Sequence, residues 1–207
     1  MSDKTKVQID WKTVGRLALI LFIITAVAAL LLALTNSVTK DAIAKQTEEK
    51  NIEARQMVLP EAVDFEAVPG VEDIAKEAVG DNANIVAEVY AGYKDNQLVG
   101  YTVKTVPKGY GGEVETLTGI STDGQVTGIT ILSNDETAGL GARATETTFQ
   151  DQYKGLDATQ EIAVVKGGGA SGNQINAITG ATITSKAVTL GVNTSTQIYK
   201  AIAGGQK

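Results

Sequence analysis

Four hydroxyl side chains surround two very small residues within residues 175–186 (INAITGATITSK), just before a segment with helical periodicity. The hydroxyls belong to Thr179, Thr182, Thr184 and Ser185, and the small residues are Gly180 and Ala181. Small neighbours let another molecule approach the backbone closely. A helix N-terminus offers unpaired N–H groups and a positive dipole end, which favour a phosphate. The pattern indicates either a phosphate site or an ordinary Ser/Thr cap, at Thr184 or Ser185, after a turn.

Cysteine and histidine are both absent from the 207 residues. Without thiols, the chain cannot hold iron–sulfur clusters or thiolate zinc sites, and it forms no disulfides. Without imidazoles, it lacks the commonest general base, metal ligand and haem ligand. Redox chemistry in this chain therefore requires an organic cofactor, and neither a metal site nor a catalytic acid–base residue is expected.

The chain is acidic, with 24 Asp and Glu residues against 18 Lys and Arg residues and a net charge of -6. This charge argues against nucleic acid as a partner. From residue 36 onwards there are 22 acids and 14 bases, a net charge of -8, and only Arg55 and Arg143 as arginines. Noncovalent binding of a doubly charged phosphate by this part of the chain would be weak and sensitive to salt.

Two hairpins are predicted between residues 84 and 132. Residues 84–92 and 97–106 are rich in residues typical of strands and flank the polar turn Lys94-Asp95-Asn96. Residues 119–122 and 125–132 flank Asp123-Gly124, a pair that accepts the positive φ angles of a tight turn.

The last predicted element is a helix over residues 184–203, with an apolar face made by Val188, Val192, Tyr199 and Ile202. Sheet followed by helix predicts one α+β domain. Residues 166–172 resemble a phosphate loop only in composition, and no GxxxxGK(S/T) occurs in the chain. Residues 139–144 formally fit the GxGxxA variant of the dinucleotide fingerprint, but they follow a polar stretch instead of ending a strand, which argues against a dinucleotide site.

Residues 17–34 form a run of 18 in which only Thr25 is not plainly apolar. As a helix the run is about 27 Å long, close to the hydrocarbon thickness of a bilayer. A cleaved signal peptide is the alternative, but its apolar region is normally only about 7–15 residues long. We therefore predict a tail over residues 1–13, a transmembrane helix over 14–35, a helical stalk over 36–59 and a globular domain over 60–207.

The orientation of the anchor is not decided by charge, because four basic residues precede the apolar run and four follow it within about 20 residues. Long domains translocate largely regardless of charge, and the long acidic part follows the anchor. We predict a single-pass protein of the inner (cytoplasmic) membrane, in contact with lipid, with its N-terminus in the cytoplasm and its C-terminal domain outside.

Residues 176–182 (NAITGAT) resemble the flavinylation motif Asp-x-x-(Ser/Thr)-Gly-Ala-Thr of membrane-anchored flavoproteins. Residues 109–112 (GYGG) and 136–141 (ETAGLG) resemble two further blocks of the same family, the second of which usually reads Glu-Thr-Pro-Gly-Leu-Gly. The chain as a whole is similar to the G subunits of Rnf ion-translocating ferredoxin:NAD⁺ oxidoreductases. The C subunits of sodium-pumping NADH:quinone oxidoreductases share the flavin domain but are generally longer.

This resemblance implies an α+β FMN-binding domain outside the cytoplasm, with FMN joined through its phosphate to Thr182 by a phosphoester bond. Asn176 stands where the motif has an acid, which bears on recognition by the flavin transferase. The resemblance also implies cofactor contacts from the neighbours of Thr182 and from the second block. These residues are Thr179, Gly180, Ala181, Thr184, Ser185, Glu136, Thr137, Leu140 and Gly141, with Lys166 and Lys186 as candidates for screening the phosphate.

The function implied is that of a non-autonomous redox subunit of a translocase, which relays electrons through FMN between other subunits of the complex. Two alternatives stay open at this point. One is a C-type subunit of a sodium-pumping NADH:quinone oxidoreductase. The other is a cofactor-free, membrane-tethered assembly domain in which the glycine motifs only form turns.

Overall fold

The computed structural model describes residues 11–205, which fall into two compact units that divide between Glu49 and Lys50. Residues 1–10 of the predicted tail lie outside the described residues. A continuous helix, α1, runs from Trp11 to Val58. The predicted tail–anchor and anchor–stalk boundaries therefore fall on no break in the helix, whereas the predicted stalk–domain boundary, between residues 59 and 60, lies one residue past its end. All three boundaries stay predictions.

The first unit contains the part of α1 that could enter a membrane. Trp11–Lys40 is long and apolar enough to cross a bilayer, by length and composition, and its large apolar side chains are exposed. The hydroxyls of Thr25 and Thr35 donate to carbonyl oxygens of the preceding helical turn, at 2.9–3.0 Å. Both polar groups are thus satisfied within the helix itself, as an apolar environment requires.

The second unit is built on a five-stranded antiparallel sheet in the order β1-β2-β3-β4-β5. The strands are β1 (Asp64–Ala67), β2 (Val86–Lys94), β3 (Gln97–Thr105), β4 (Val114–Ser121) and β5 (Val126–Asn134). Both predicted hairpins are confirmed, because β2 pairs with β3 and β4 with β5. Asp95 and Asn96 have φ angles of 51° and 62°, as a tight turn between twisted strands requires.

One face of the sheet carries the larger core. It packs against α2 (Val71–Val79) and α4 (Thr182–Gly205), and α4 buries Val188 and Val192 there. The predicted apolar face of α4 is confirmed. The prediction that Thr184 or Ser185 caps this helix is wrong. The helix begins two residues earlier than predicted, at Thr182, so both residues are already inside it.

The opposite face of the sheet receives the last turns of α1. The strands carry glycines at the positions that Val58 and Leu59 contact. A Cβ on Gly92 would come within 2.6 Å of the Leu59 side chain, and a Cβ on Gly119 would overlap the carbonyl oxygen of Val58. Arg55 is buried here, stacks 3.5 Å from the ring centroid of Tyr90 and forms an ion pair with Glu88. The C-terminal end of α1 is thus a packed part of the second unit.

Short elements complete the second unit. A 3-10 helix (Gly80–Ile85) follows α2, and two more (Gly141–Thr145 and Asp151–Tyr153) flank α3 (Thr147–Gln150). Strands β6 (Ala163–Val165) and β7 (Gln174–Asn176) form a parallel pair just before α4. Tyr153 shares a 2.7 Å hydrogen bond with Thr189 of α4, and its burial raises the pKa of the phenol above the ordinary value.

Candidate functional site

A cavity of about 460 Å³ lies where two loops meet the beginning of α4. Eight of the ten predicted site residues line it, whereas Thr179 and Ser185 do not. Tyr110 and Ile183 complete the lining. The lining residues are Tyr110, Glu136, Thr137, Leu140, Gly141, Gly180, Ala181, Thr182, Ile183 and Thr184.

A tight turn brings the chain from β7 into the cavity. The N–H of Ala181 donates to the carbonyl of Ile178 at 2.9 Å, and Gly180 between them has a φ of 80°, as a type II turn requires at this position. A Cβ on Gly180 would stand 3.2 Å from Leu140 Cδ2, so glycine leaves room for the leucine that lines the cavity.

Ser185 holds this turn from inside the helix. Its hydroxyl donates to the carbonyl of Ala181 at 3.0 Å and accepts the N–H of Ile178 at 2.9 Å. Ser185 is fully buried and does not reach the cavity. In the structure it fixes the geometry between the turn and the first turn of α4.

The three threonines of the predicted motif region have different surroundings. Thr182 is half-buried, lines the cavity and is the first residue of the 24-residue helix α4. Thr184 is fully buried, and its hydroxyl donates to Glu136 at 2.8 Å. Thr179 is exposed and lies along a separate cleft of about 180 Å³ with Arg143. Of these three threonines, Thr182 and Thr184 line the cavity, and the hydroxyl of Thr184 is engaged by Glu136. Thr182 also lies beside the unpaired N–H groups of a helix start.

Glu136 joins three segments at the wall of the cavity. Its Oε1 accepts the N–H groups of Tyr110 and Gly111 at 2.7 and 3.1 Å, and its Oε2 accepts the hydroxyl of Thr184. A Cβ on Gly109 would overlap Oε1, and a Cβ on Gly141 would overlap Oε2. The glycines of the two loop motifs thus make room for this carboxylate, a role that goes beyond forming turns.

The cavity carries little charge. Among its lining residues in the described chain, Glu136 is the one side chain that is charged at neutral pH. Lys166 and Lys186 are exposed and are not among the lining residues. Favourable electrostatics for a phosphate at Thr182 therefore come from the helix N-terminus.

Asn176, where the family motif has an acid, holds a neighbouring segment. Its Oδ1 accepts the N–H of Ala170 at 3.0 Å, and its own N–H donates to Gln152 Oε1 at 2.7 Å. A carboxylate oxygen could accept the first bond equally well. The departure from the motif therefore preserves the acceptor that the glycine-rich stretch 166–172 requires.

Tyr110 and Ile183 were not among the predicted site residues. The first lies in the GYGG block, and the second lies between two predicted site threonines, so the motifs pointed to both positions. Both are largely exposed: Tyr110 is 73% exposed and Ile183 55%. They add aromatic and aliphatic surface at the mouth of the cavity.

These features suit a flat, largely apolar ligand that carries a phosphate. The volume lies in the range of small-molecule sites, which are mostly apolar with a few well-placed polar groups. Leu140, Ile183 and Tyr110 offer surface for a ring system, whereas Thr182 and the start of α4 offer a hydroxyl and N–H groups. FMN fits this set of residues.

Two family models match the chain. One, for an FMN-binding domain, matches residues 109–197, which include every lining residue of the cavity. The other, for the RnfG N-terminal region, matches residues 1–58.

Curated relatives align over most of the chain. The G subunit of the Na⁺-translocating ferredoxin:NAD⁺ oxidoreductase complex of Acetobacterium woodii is 55% identical over 204 residues, which cover 97% of this chain and 98% of the relative. The G subunit of the ion-translocating oxidoreductase complex of Methanosarcina acetivorans is 38% identical over 181 residues, covering 86% and 90%.

A solved structure shares the fold. The C subunit of the Na⁺-translocating NADH-quinone reductase of Parabacteroides distasonis is similar over 78% of this chain and 96% of its own, with a TM-score of 0.57. The two sequences are 20% identical, so this likeness concerns the fold alone.

Proposed function

Because the chain belongs to the family of G subunits of Rnf ion-translocating ferredoxin:NAD⁺ oxidoreductase complexes, we propose that it relays electrons within such a membrane complex through an FMN joined covalently to Thr182. In this role it is a non-autonomous subunit. Its electron donor and acceptor are neighbouring subunits, and a flavin transferase attaches the cofactor.

The observation that carries this proposal is the position of Thr182. Thr182 lines the cavity and is the first residue of α4, whereas the Thr184 hydroxyl is engaged by Glu136 and Thr179 lies along a different cleft. A phosphoester at Thr182 would place the remaining phosphate charge beside the unpaired N–H groups of the helix.

A covalent bond also suits the electrostatics of this domain. FMN phosphate carries nearly two negative charges, and no Lys or Arg is among the residues that line the described cavity. Esterification removes one of those charges and makes retention independent of binding affinity. Leu140, Ile183 and Tyr110 would then hold the ring system, with the hydroxyl of Thr137 as a polar contact. When bound, FMN supplies the redox chemistry that the side chains of this chain do not offer.

The placement in the cell is part of the proposal. Trp11–Lys40 has the length and composition of a membrane span. We place this segment in the inner membrane with the N-terminus in the cytoplasm and the FMN domain on the outer side. Outside the cytoplasm a lost cofactor could not be replaced from a cellular FMN pool, and a covalent link prevents that loss.

The decisive experiment is to measure flavin fluorescence in the denatured chain, purified from cells that contain the transferase. Wild-type chain and the Thr179→Val control should keep the flavin after SDS treatment, and the modified peptide should contain Thr182. Thr182→Val should remove it. Covalent flavin on the Thr182→Val chain, or a wild-type intact mass equal to that of the bare polypeptide, would refute the proposal. The second result would favour a cofactor-free assembly domain.

A further inference from the structure

The carboxylate of Glu136 is a fixed negative charge at the wall of the cavity. Two backbone N–H groups bind Oε1 at 2.7 and 3.1 Å, and the hydroxyl of Thr184 binds Oε2 at 2.8 Å. The two N–H groups can only donate, so Oε1 serves as an acceptor of two bonds, and Oε2 accepts the hydroxyl of Thr184. It is held by parts of the chain that lie 25 to 48 residues away in sequence.

The charge of Glu136 is not balanced by a cation in the lining. The other lining residues of the described cavity are uncharged at neutral pH, and several are apolar. The salt bridges of Arg143 and Lys154 involve Glu146 and Asp151 instead. The positive end of α4 acts at Thr182, where the charge of a phosphoester would offset it.

We propose that Glu136 lowers the reduction potential of the flavin held in this cavity, an inference that rests on the proposed function. An electron that enters the cavity adds one negative charge unless a proton accompanies it. A nearby carboxylate in a partly buried site raises the free energy of that charge, because the local dielectric screens it less than bulk water does. The three hydrogen bonds reduce this repulsion but also keep the carboxylate from turning away.

One substitution removes the charge of Glu136 and can keep its three hydrogen bonds. In Glu136→Gln the amide oxygen can accept both backbone N–H groups, and the amide NH₂ can donate to the Thr184 hydroxyl, which is able to reverse its role. The matched control is Glu161→Gln, which removes the same charge from an exposed position. Glu161 lies along a different cleft, which Asn193 also lines. Asn193 lies about 16 Å along α4 from Thr182.

The test is a redox titration of the covalently bound flavin in the assembled complex, with flavin content and peptide mass measured on the same samples. Glu136→Gln should keep the flavin on Thr182 and shift its midpoint potential to a more positive value. Glu161→Gln should leave the potential unchanged. Glu136→Asp, which keeps the charge on a shorter side chain, should stay closer to the wild type than Glu136→Gln does.

An unshifted potential in a fully flavinylated Glu136→Gln chain would overturn this inference and leave the proposed function intact. Loss of flavin from Glu136→Gln would also overturn it, because the carboxylate would then serve only to build the cavity. A wild-type chain without flavin on Thr182 would instead refute the proposed function, and the inference with it.

Discussion

Glu136 Oε2 accepts a 2.8 Å hydrogen bond from the hydroxyl of Thr184, which joins a loop and a helix 48 residues apart in the sequence. The other carboxylate oxygen binds the backbone at Tyr110 and Gly111. One side chain therefore connects the GYGG block, the ETAGLG block and the start of α4. Residues of all three segments line the cavity.

Thr184→Val should loosen this connection without removing the acceptor for the flavin. Valine has nearly the shape of threonine but no hydroxyl, so one partly buried carboxylate oxygen loses its donor, at a cost of about 1–2 kcal/mol. Urea unfolding of the purified chain should show this loss. Thr184→Ser keeps a donor and should recover most of the stability. Because Thr182 is untouched, Thr184→Val should still carry covalent flavin, and its absence would contradict the separate roles of the two threonines.

The parts of the fold that could be predicted are those specified by neighbours in the sequence. Asp123-Gly124 and Asp95-Asn96 specify tight turns through their own backbone preferences, and the apolar residues of α4 specify its buried face. The strand β1, with only four residues, is too short to show a reliable alternation. The helix α2 lies between Gly70 and Gly80 and has only nine residues, so its pattern is equally brief.

The cavity could be predicted only in part, and for a physical reason. The predicted lining residues fall in two short stretches, residues 136–141 and 180–184, but no local pattern reveals what these stretches bind. Thr184 and Ser185 have the residue types of a helix cap, yet the structure uses one for a tertiary bond to Glu136 and the other to hold the turn at Ile178. Such bonds depend on the assembled fold, which local preferences do not encode.

Gly119 and Gly128 pair with each other on β4 and β5, where the end of α1 packs on the sheet. Gly119 has no room for a methyl group, whereas Gly128 does. A Cβ on Gly119 would overlap the carbonyl oxygen of Val58, and that oxygen also accepts the hydroxyl of Thr127. A Cβ on Gly128 would stand 3.6 Å from Val58 Cα, an ordinary contact. Gly119→Ala should therefore lower the free energy of unfolding by about 1–3 kcal/mol, whereas Gly128→Ala should change it little. Equal effects in urea unfolding would refute this account of how α1 is anchored.

Asp157 makes the stability of the second unit depend on pH. The hydroxyl and the N–H of Thr159 both donate to Asp157 Oδ1, at 2.6 and 2.7 Å, and these bonds lower the pKa of the carboxyl below its ordinary value. A lowered pKa stabilises the folded state above the pKa of the unfolded chain, and the benefit is lost as pH falls through the folded pKa.

Thr159→Val should therefore raise the pKa of Asp157 towards its ordinary value, because it removes the hydroxyl hydrogen bond, which is the largest of the causes that lower it. The carboxyl resonance in an NMR titration of the second unit within the full chain measures this directly. The stability difference from the wild type should be present at about pH 7, above the pKa of the unfolded chain, and should be lost as the pH falls through the lowered pKa of the folded state. Thr159→Ser keeps the hydroxyl and should titrate like the wild type. A difference that persists at low pH would show that Thr159 acts by packing.

Asn176 offers a test of why a motif acid can be replaced. Its Oδ1 accepts the N–H of Ala170, and it lies six residues before Thr182 at the end of β7. Asn176→Asp keeps that acceptor and should leave the stability within about 0.5 kcal/mol of the wild type, whereas Asn176→Ala should lose about 1 kcal/mol. If the acceptor is what the motif needs, Asn176→Asp should be flavinylated as fully as the wild type by the same transferase, and Asn176→Ala less. If the transferase instead reads the charge, Asn176→Asp should be flavinylated faster than the wild type in a time course, and the structural explanation of this position would fail.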